Sequence, residues 1–318
     1  GMSLDERLAG GQVIILDGAT GTELERRGVP MDDVSWSGIA SLSHPATLRQ
    51  IHVDYIAAGA EVVITNTFAA SRYLLEAAGL AEQVRAANEA AVALAREARD
   101  RAAGRREVWI AGSISPMAPA AERGRRPDLA TVAASFREQA EILARAGVDL
   151  LLLEMMRDVD HAGAAIDAAV ATGLPVWVGF SCALRAEGEV IMAPGIVDDL
   201  PLERVVEPVM ARGGSLVAIM HSEIEVTRPA LAVARRQWRG PLGAYAHSGR
   251  FVMPHWQFDD IISPAAYLAE AERWVADGVQ VVGGCCGIGP DHVRLLAERL
   301  PRTVPRRDGP VPPGSGPC

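Results

Sequence analysis

The chain has 318 residues, 49 % hydrophobic and 22 % charged, proportions that exclude a disordered chain and supply material for a large core. Its 31 basic residues are all arginine; without lysine, Schiff-base aldolases, pyridoxal-phosphate enzymes and P-loop NTPases are excluded. The 40 acidic residues bring the net charge to −9, which gives nucleic acid and anionic membranes no electrostatic reason to bind.

Eight apolar runs follow one another along the chain: 13–16, 61–67, 108–114, 149–155, 175–182, 215–221, 241–247 and 279–285. They are continuous rather than alternating, as expected for parallel strands covered on both faces. Helical segments lie between them. Residues 47–58 place Leu48, Ile51, Tyr55 and Ile56 on one face, and 129–146 place Val132, Phe136, Ala140 and Leu143 likewise. The Ala-rich stretch 71–104 reads as two helices or one with an insertion, and 290–300 as the last helix. Four times a helical stretch ends at glycine just before a strand, at Gly59, Gly147, Gly213 and Gly278, the pattern of a left-handed helix cap. Eight β-α units in order predict an α/β fold, a single (β/α)8 TIM barrel over residues 1–300. A doubly wound sheet is the rival, and the chemically loaded end of the eighth run favours the barrel. Residues 301–318, rich in Pro and Gly, are expected to form a disordered or surface-draped tail.

The four cysteines, Cys182, Cys285, Cys286 and Cys318, are too few for a disulfide scaffold, and adjacent cysteines rarely bridge each other. A reducing, cytoplasmic setting is expected. Cys182 reads as core and Cys318 as an inert tail residue. No apolar run reaches membrane-spanning length. No signal peptide is read, and Gly1 ahead of Met2 reads as an expression remnant.

In a barrel, the carboxyl ends of the strands form the active face. The polar residues there are Asp17 to Thr22 after the first run, Asn66 in the second, Glu154 in the fourth, His221 in the sixth, His247 in the seventh, and Cys285 and Cys286 at the end of the eighth. The run Gly283-Gly284-Cys285-Cys286-Gly287 is the strongest signal. Neighbours on a strand point to opposite faces, so two thiolates reach one ion only if the backbone leaves strand geometry, which flanking glycines permit. A catalytic zinc takes three protein ligands and keeps one position open; His221 or His247 can be the third. Two small buried residues in a packed turn would be the alternative. The Asp17-Gly18-Ala19-Thr20-Gly21-Thr22 turn offers backbone N–H groups to a carboxylate. Asp17 and Glu154 can meet an ammonium group, unless Asp17 only caps a turn. Asn66 suits a buried hydrogen bond or a substrate contact equally.

Together the motifs 16–24 (LDGATGTEL), 65–68 (TNTF), 111–114 (AGSI), Glu154 and 282–293 (VGGCCGIGPDHV) resemble the homocysteine S-methyltransferase family, from Leu16 to about Leu300. The resemblance implies a zinc-dependent methyltransferase. Its partners would be a small-molecule thiol acceptor, homocysteine, and a sulfonium or ammonium donor of the S-methylmethionine, S-adenosylmethionine or betaine type; methionine would be the product. By position it implies Cys285 and Cys286 as two zinc ligands, and Asp17, Gly18 and Glu154, with Thr20 and Asn66 beside them, as substrate-binding residues. The sequence departs from the family pattern at the sixth run, where Met220-His221 stands for Asn-Cys, and at the seventh, which ends His247-Ser248-Gly249. His221 is therefore expected as the third ligand, with His247 as the alternative. Two thiolates and an imidazole leave a divalent ion neutral, where three thiolates make it −1. That shift also opens a water-activating zinc hydrolase or lyase, and a non-catalytic metal-binding member, as alternative readings. The Arg-rich loop 115–128 and the loop 250–263 with His255 and Trp256 should shape the donor side. Trp256 could face a sulfonium, though packing on an exposed rim is the preferred reading.

Overall fold

The computed structural model describes residues 1–122 and 128–306. Eight parallel strands form one sheet: β1 (Ile14–Ile15), β2 (Val62–Ile64), β3 (Trp109–Ile114), β4 (Leu150–Met156), β5 (Val176–Phe180), β6 (Leu216–Met220), β7 (Leu242–Ala246) and β8 (Val281–Gly284). Seven of the eight expected runs contain one of them whole, and β4 passes the end of 149–155 by one residue, Met156. Their spatial order is β1-β8-β7-β6-β5-β4-β3-β2. The remaining seam, between β1 and β2, is bridged by Glu61 N donating to Ile15 O at 2.7 Å and Asp17 N donating to Val62 O at 3.0 Å. The sheet therefore rolls into the expected barrel with helices around it.

Strand alternation divides the core into two shells. Ile14, Leu16, Leu152, Trp177, Leu216 and Val281 fill the barrel interior. Their neighbours, such as Ile15, Leu151, Leu153, Val178 and Val217, pack outward against the helices. Both faces are buried, which is why the strands read as unbroken apolar runs. The helices expected from periodicity form as Pro45–Ala58, Leu129–Ala146 and Pro290–Arg299. The 71–104 stretch resolves into Arg72–Ala77, capped by the Ser71 hydroxyl, and the longer Val84–Ala102. Gly59 and Gly147 hold φ of 114° and 103° at their helix ends, conformations that favour glycine.

Three features have no counterpart in the sequence reading. A short helix, Leu4–Ala9, presses Leu4 and Leu8 into the floor of the barrel. Hairpins Cys182–Leu184/Val190–Met192 and Arg250–Val252/His255–Gln257 extend the loops after β5 and β7. Cys182 thus begins a hairpin rather than ending a barrel strand, and it is buried as expected. At the other end of the chain, Thr303 bridges Gln12 in antiparallel fashion and Val304 N donates to Gly11 O at 2.9 Å. The start of the expected tail is thus pinned beneath the barrel; residues 307–318, with Cys318, lie outside the described residues. Among the described residues no helix is long and apolar enough to cross a membrane.

Candidate functional site

The strand ends surround a cleft of about 360 Å3 at the carboxyl face of the barrel, as the fold leads one to expect. At its floor β8 stops at Gly284, and Cys285-Cys286-Gly287 turn back on themselves, with Ile288 N donating to Cys285 O at 3.1 Å. Gly287 has φ of 82°. A Cβ there would collide with the Ser248 carbonyl, while Ser248 N donates to Cys286 O at 2.9 Å. The backbone leaves strand geometry as two convergent thiols require.

His221 sits one residue past β6, with φ of 43°. An L-residue held in that left-handed conformation stores strain that the surroundings must support. The turn aims its ring at the thiols: Nδ1 lies 3.8 Å from Cys285 Sγ. One ligand atom each from His221, Cys285 and Cys286 falls within 4.8 Å of the other two. Two ligands of a tetrahedral zinc are about 3.6 Å apart, so the three residues fit a zinc ion with little adjustment. His247 is not in this group. Its ring packs edge-on against His221 with centroids 5.0 Å apart, and its Nδ1 is buried without a hydrogen-bond partner. Burial, with His221 adding to it, pushes its pKa down to about 3. Cys285 is held well above the usual thiol range by the Cys286 thiol and by burial.

Glu154 lines the cleft, whereas Asp17 is fully buried next to it and is not among the lining residues. Asp17 does not cap the following turn. Its Oδ2 accepts from Ile64 N at 2.9 Å across the β1–β2 seam, and its Oδ1 is buried with no partner. Burial raises its pKa well above the carboxylate range, and the Glu154 charge adds to this. Glu154 is also raised by burial, but both of its oxygens are occupied. Ser113 Oγ donates to Oε1 at 2.5 Å and the Tyr245 hydroxyl to Oε2 at 3.0 Å. Gly18, Thr20, Asn66 and Glu154 line the cleft. Asn66 Nδ2 donates to Ser37 O at 3.0 Å, so it is buried and hydrogen-bonded while bordering the cleft.

An aromatic wall closes the outer side. Phe251 meets Trp36 edge-on with centroids 5.9 Å apart and stacks on Trp256 at 6.4 Å. Trp256 is only 4 % exposed. It faces the cleft rather than an exposed rim, because the hairpin folds it inward and Ser248 O accepts from its indole N–H at 3.0 Å. Of loop 115–128, Pro116, Met117, Ala118 and Glu122 line the cleft; its arginines lie outside the described residues. Trp36, Ser113, Tyr245 and Phe251 were not singled out from sequence. Ser113 and Tyr245 occupy strand positions that look like ordinary interior, and Trp36 lies in a segment without periodicity.

A family model described as homocysteine S-methyltransferase matches residues 14–300. The chain belongs to the homocysteine S-methyltransferase family. It is 30 % identical over 338 residues to mouse betaine–homocysteine S-methyltransferase 1, covering 98 % of this chain and 76 % of that protein. It is 31 % identical to an S-methylmethionine–homocysteine S-methyltransferase of Pongo abelii, covering 98 % and 83 %. The metallated crystal structure of the Escherichia coli homocysteine methyltransferase MmuM superposes with a TM-score of 0.72 at 28 % identity, covering 92 % of this chain and 97 % of that one. The protein is thus a methyltransferase of this family, built on the family's barrel, and its substrates are small molecules.

Proposed function

We propose that the chain transfers a methyl group from a small sulfonium or ammonium donor to the thiolate of homocysteine, giving methionine, at a zinc ion held by His221, Cys285 and Cys286. The convergence of these three ligand atoms at the floor of a cleft carries the reading. When bound, zinc would supply the positive charge that lets the acceptor thiol lose its proton and stay a thiolate near neutral pH.

The chain's own residues do the rest. Asp17 Oδ1, buried and partnerless, accepts from the acceptor's ammonium group, whose charge would relieve the mutual repulsion of Asp17 and Glu154. Glu154, oriented by Ser113 and Tyr245, completes that pocket. Backbone N–H groups around Gly18 and Thr20, which border the cleft, suit the acceptor's carboxylate. Trp36, Phe251 and Trp256 offer ring faces to the onium carbon atoms and keep water from the transferred methyl. Transfer forms one sulfur–carbon bond, and the electron pair of the broken bond returns to the donor. The donor leaves as a neutral thioether or tertiary amine.

The imidazole at 221 has a specific consequence. His221, Cys285 and Cys286 would hold a divalent ion with one neutral and two anionic groups, one charge less negative than three thiolates would. Such an ion would make an acceptor thiol more acidic and leave its thiolate a weaker nucleophile than at a three-thiolate centre. Such chemistry, with Cys285 and Cys286 needed as free thiols, suits a cytoplasmic setting. Metal analysis of the purified protein beside the Cys285→Ala, His221→Ala and His247→Ala variants is the test, combined with isotopic methyl transfer from S-methylmethionine and from glycine betaine. Zinc should be stoichiometric in the unaltered protein and in His247→Ala, and lost in the other two. A protein without zinc would overturn the metal reading; zinc without methyl transfer would favour water activation.

A further inference from the structure

The aromatic wall rests on a short hairpin. Arg250–Val252 and His255–Gln257 contribute three residues each, and an isolated two-stranded hairpin is at best marginally stable. Its outer face is open to solvent: Val252 is 52 % exposed. Yet it must keep Phe251 and Trp256 in place opposite Trp36. The structure supplies a tether from a distant part of the chain. Glu25 Oε1 lies 2.7 Å from His255 Nδ1, and Glu25 Oε2 accepts from Trp256 N at 2.9 Å. One carboxylate thus grips two consecutive hairpin residues with its two oxygens. Its side chain is only 12 % exposed, so water competes weakly for those bonds.

Glu25 belongs to the short helix Gly21–Arg26, which follows the Asp17–Thr20 turn directly. The same helix holds the cysteine turn: Gly287 N donates to Thr22 Oγ1 at 3.0 Å, and Arg26 Nη2 to Gly287 O at 3.4 Å. Arg26 also lies over the Phe258 ring, 4.8 Å from its centroid. Six residues therefore touch the acceptor turn, the candidate metal turn and the hairpin that carries the aromatic wall.

We propose that Glu25 is a positioning residue for the methyl donor: its carboxylate fixes the hairpin, and through it Phe251 and Trp256, against Trp36. It does not touch the donor. This rests on the donor site described above, so the test separates the two. Glu25→Ala removes both bonds. His255→Ala removes one of them from the solvent side and spares the buried framework. Acrylamide quenching, with Trp256→Phe as the background, reports how well Trp256 is sheltered whether or not methyl transfer occurs. Quenching of Trp256 should rise strongly in Glu25→Ala and less in His255→Ala. In parallel, KM for S-methylmethionine or glycine betaine should rise about tenfold in Glu25→Ala, the factor that one charge-assisted hydrogen bond can supply. Zinc content, homocysteine affinity and kcat should stay within about twofold. Unchanged quenching in a folded Glu25→Ala protein overturns the proposal. So does an equal loss of kcat with unchanged donor KM, which would mark a general structural role. If the unaltered protein transfers no methyl group, the donor-site reading fails while the quenching result still decides whether Glu25 holds the hairpin.

Discussion

Glu154 offers the sharpest test of the proposed acceptor pocket. Burial pushes its pKa up, while the Ser113 hydroxyl at 2.5 Å and the Tyr245 hydroxyl at 3.0 Å pull it back down. Removing either donor leaves a buried carboxylate oxygen without a partner, so the neutral form gains and the attraction for the acceptor's ammonium weakens. A hydrogen bond to an ionised group contributes about 1.5–3 kcal/mol, and about 1.4 kcal/mol is tenfold in affinity. Tyr245→Phe should therefore weaken homocysteine binding about tenfold. Ser113→Ala, which deletes the shorter bond, should weaken it more, toward a hundredfold. The pH dependence has a definite sign. Raising the pKa of Glu154 further means that more of it is protonated at a given pH, so the loss should grow as pH falls and shrink as pH rises. Isothermal titration calorimetry of zinc-loaded proteins between pH 6 and pH 8.5 reads both effects. Affinities within twofold of the unaltered protein at every pH, with normal zinc and an unchanged melting temperature, would refute the role given to Glu154.

His52 is fully buried, neither ring nitrogen has a hydrogen-bond partner, and burial lowers its pKa from 6.5 to about 4. The unfolded chain therefore binds more protons between those values. The stability His52 contributes while neutral should be lost as pH falls from 6.5 to 4, about 3 kcal/mol in all. Urea unfolding should show that slope reduced in His52→Leu, and an identical slope would refute it. Asp17→Asn keeps an oxygen for Ile64 N but denies the acceptor's ammonium group a carboxyl that it could draw into its ionised form against the effect of burial. Homocysteine affinity should fall more than about tenfold, with the melting temperature unchanged or raised. A large drop in melting temperature would assign Asp17 to folding rather than binding.

The barrel was legible because its strands are buried on both faces. Continuous runs such as 149–155 and 175–182 leave few alternatives once glycine punctuates the helix ends. The ends of the runs were less legible. The 61–67 run contains a strand only over Val62–Ile64, because past Thr65, whose N–H still donates to Ala111 O, the chain turns away and sets Asn66 against the cleft. At Asn66, His221 and the cysteine pair the chain has left regular structure and periodicity stops, whereas Ser113, Glu154 and Tyr245 stay within their strands and look like ordinary interior. The cysteine pair was readable from residue type and its glycines. Residue type alone left His221 and His247 both open, since they follow strands at equivalent places, and only the place of His221 in the family pattern pointed to it. The left-handed backbone at His221 turns one ring toward the thiols, and no local composition signals that. Trp36 and Phe251 come from segments without periodicity and meet only through the fold. The Leu4–Ala9 helix is too short for a periodic pattern, yet it plugs the barrel.

The seam that closes the barrel and the floor of the site are built from the same hydrogen bonds. Asp17 N pairs with Val62 O, Asp17 Oδ2 with Ile64 N, and Gly284 N donates to Asp17 O at 3.1 Å. Cys285 N donates to Ala246 O at 2.8 Å, continuing the β8–β7 ladder one residue past its end. The first strand is only two residues long, so these bonds join β1 to both neighbours as well as placing the acidic and thiol groups. A rigid barrel end thereby fixes the Asp17 carboxylate and the Cys285 turn relative to each other before any ligand arrives, and pre-organisation of that kind lowers the cost of binding. The proposed donor side is arranged differently: its aromatic wall hangs on a hairpin held through side chains. The acceptor half of the site should accordingly be stiff and the donor half adjustable. In a family whose members are named for different methyl donors but share homocysteine, that is where variation can occur without disturbing the closure of the barrel.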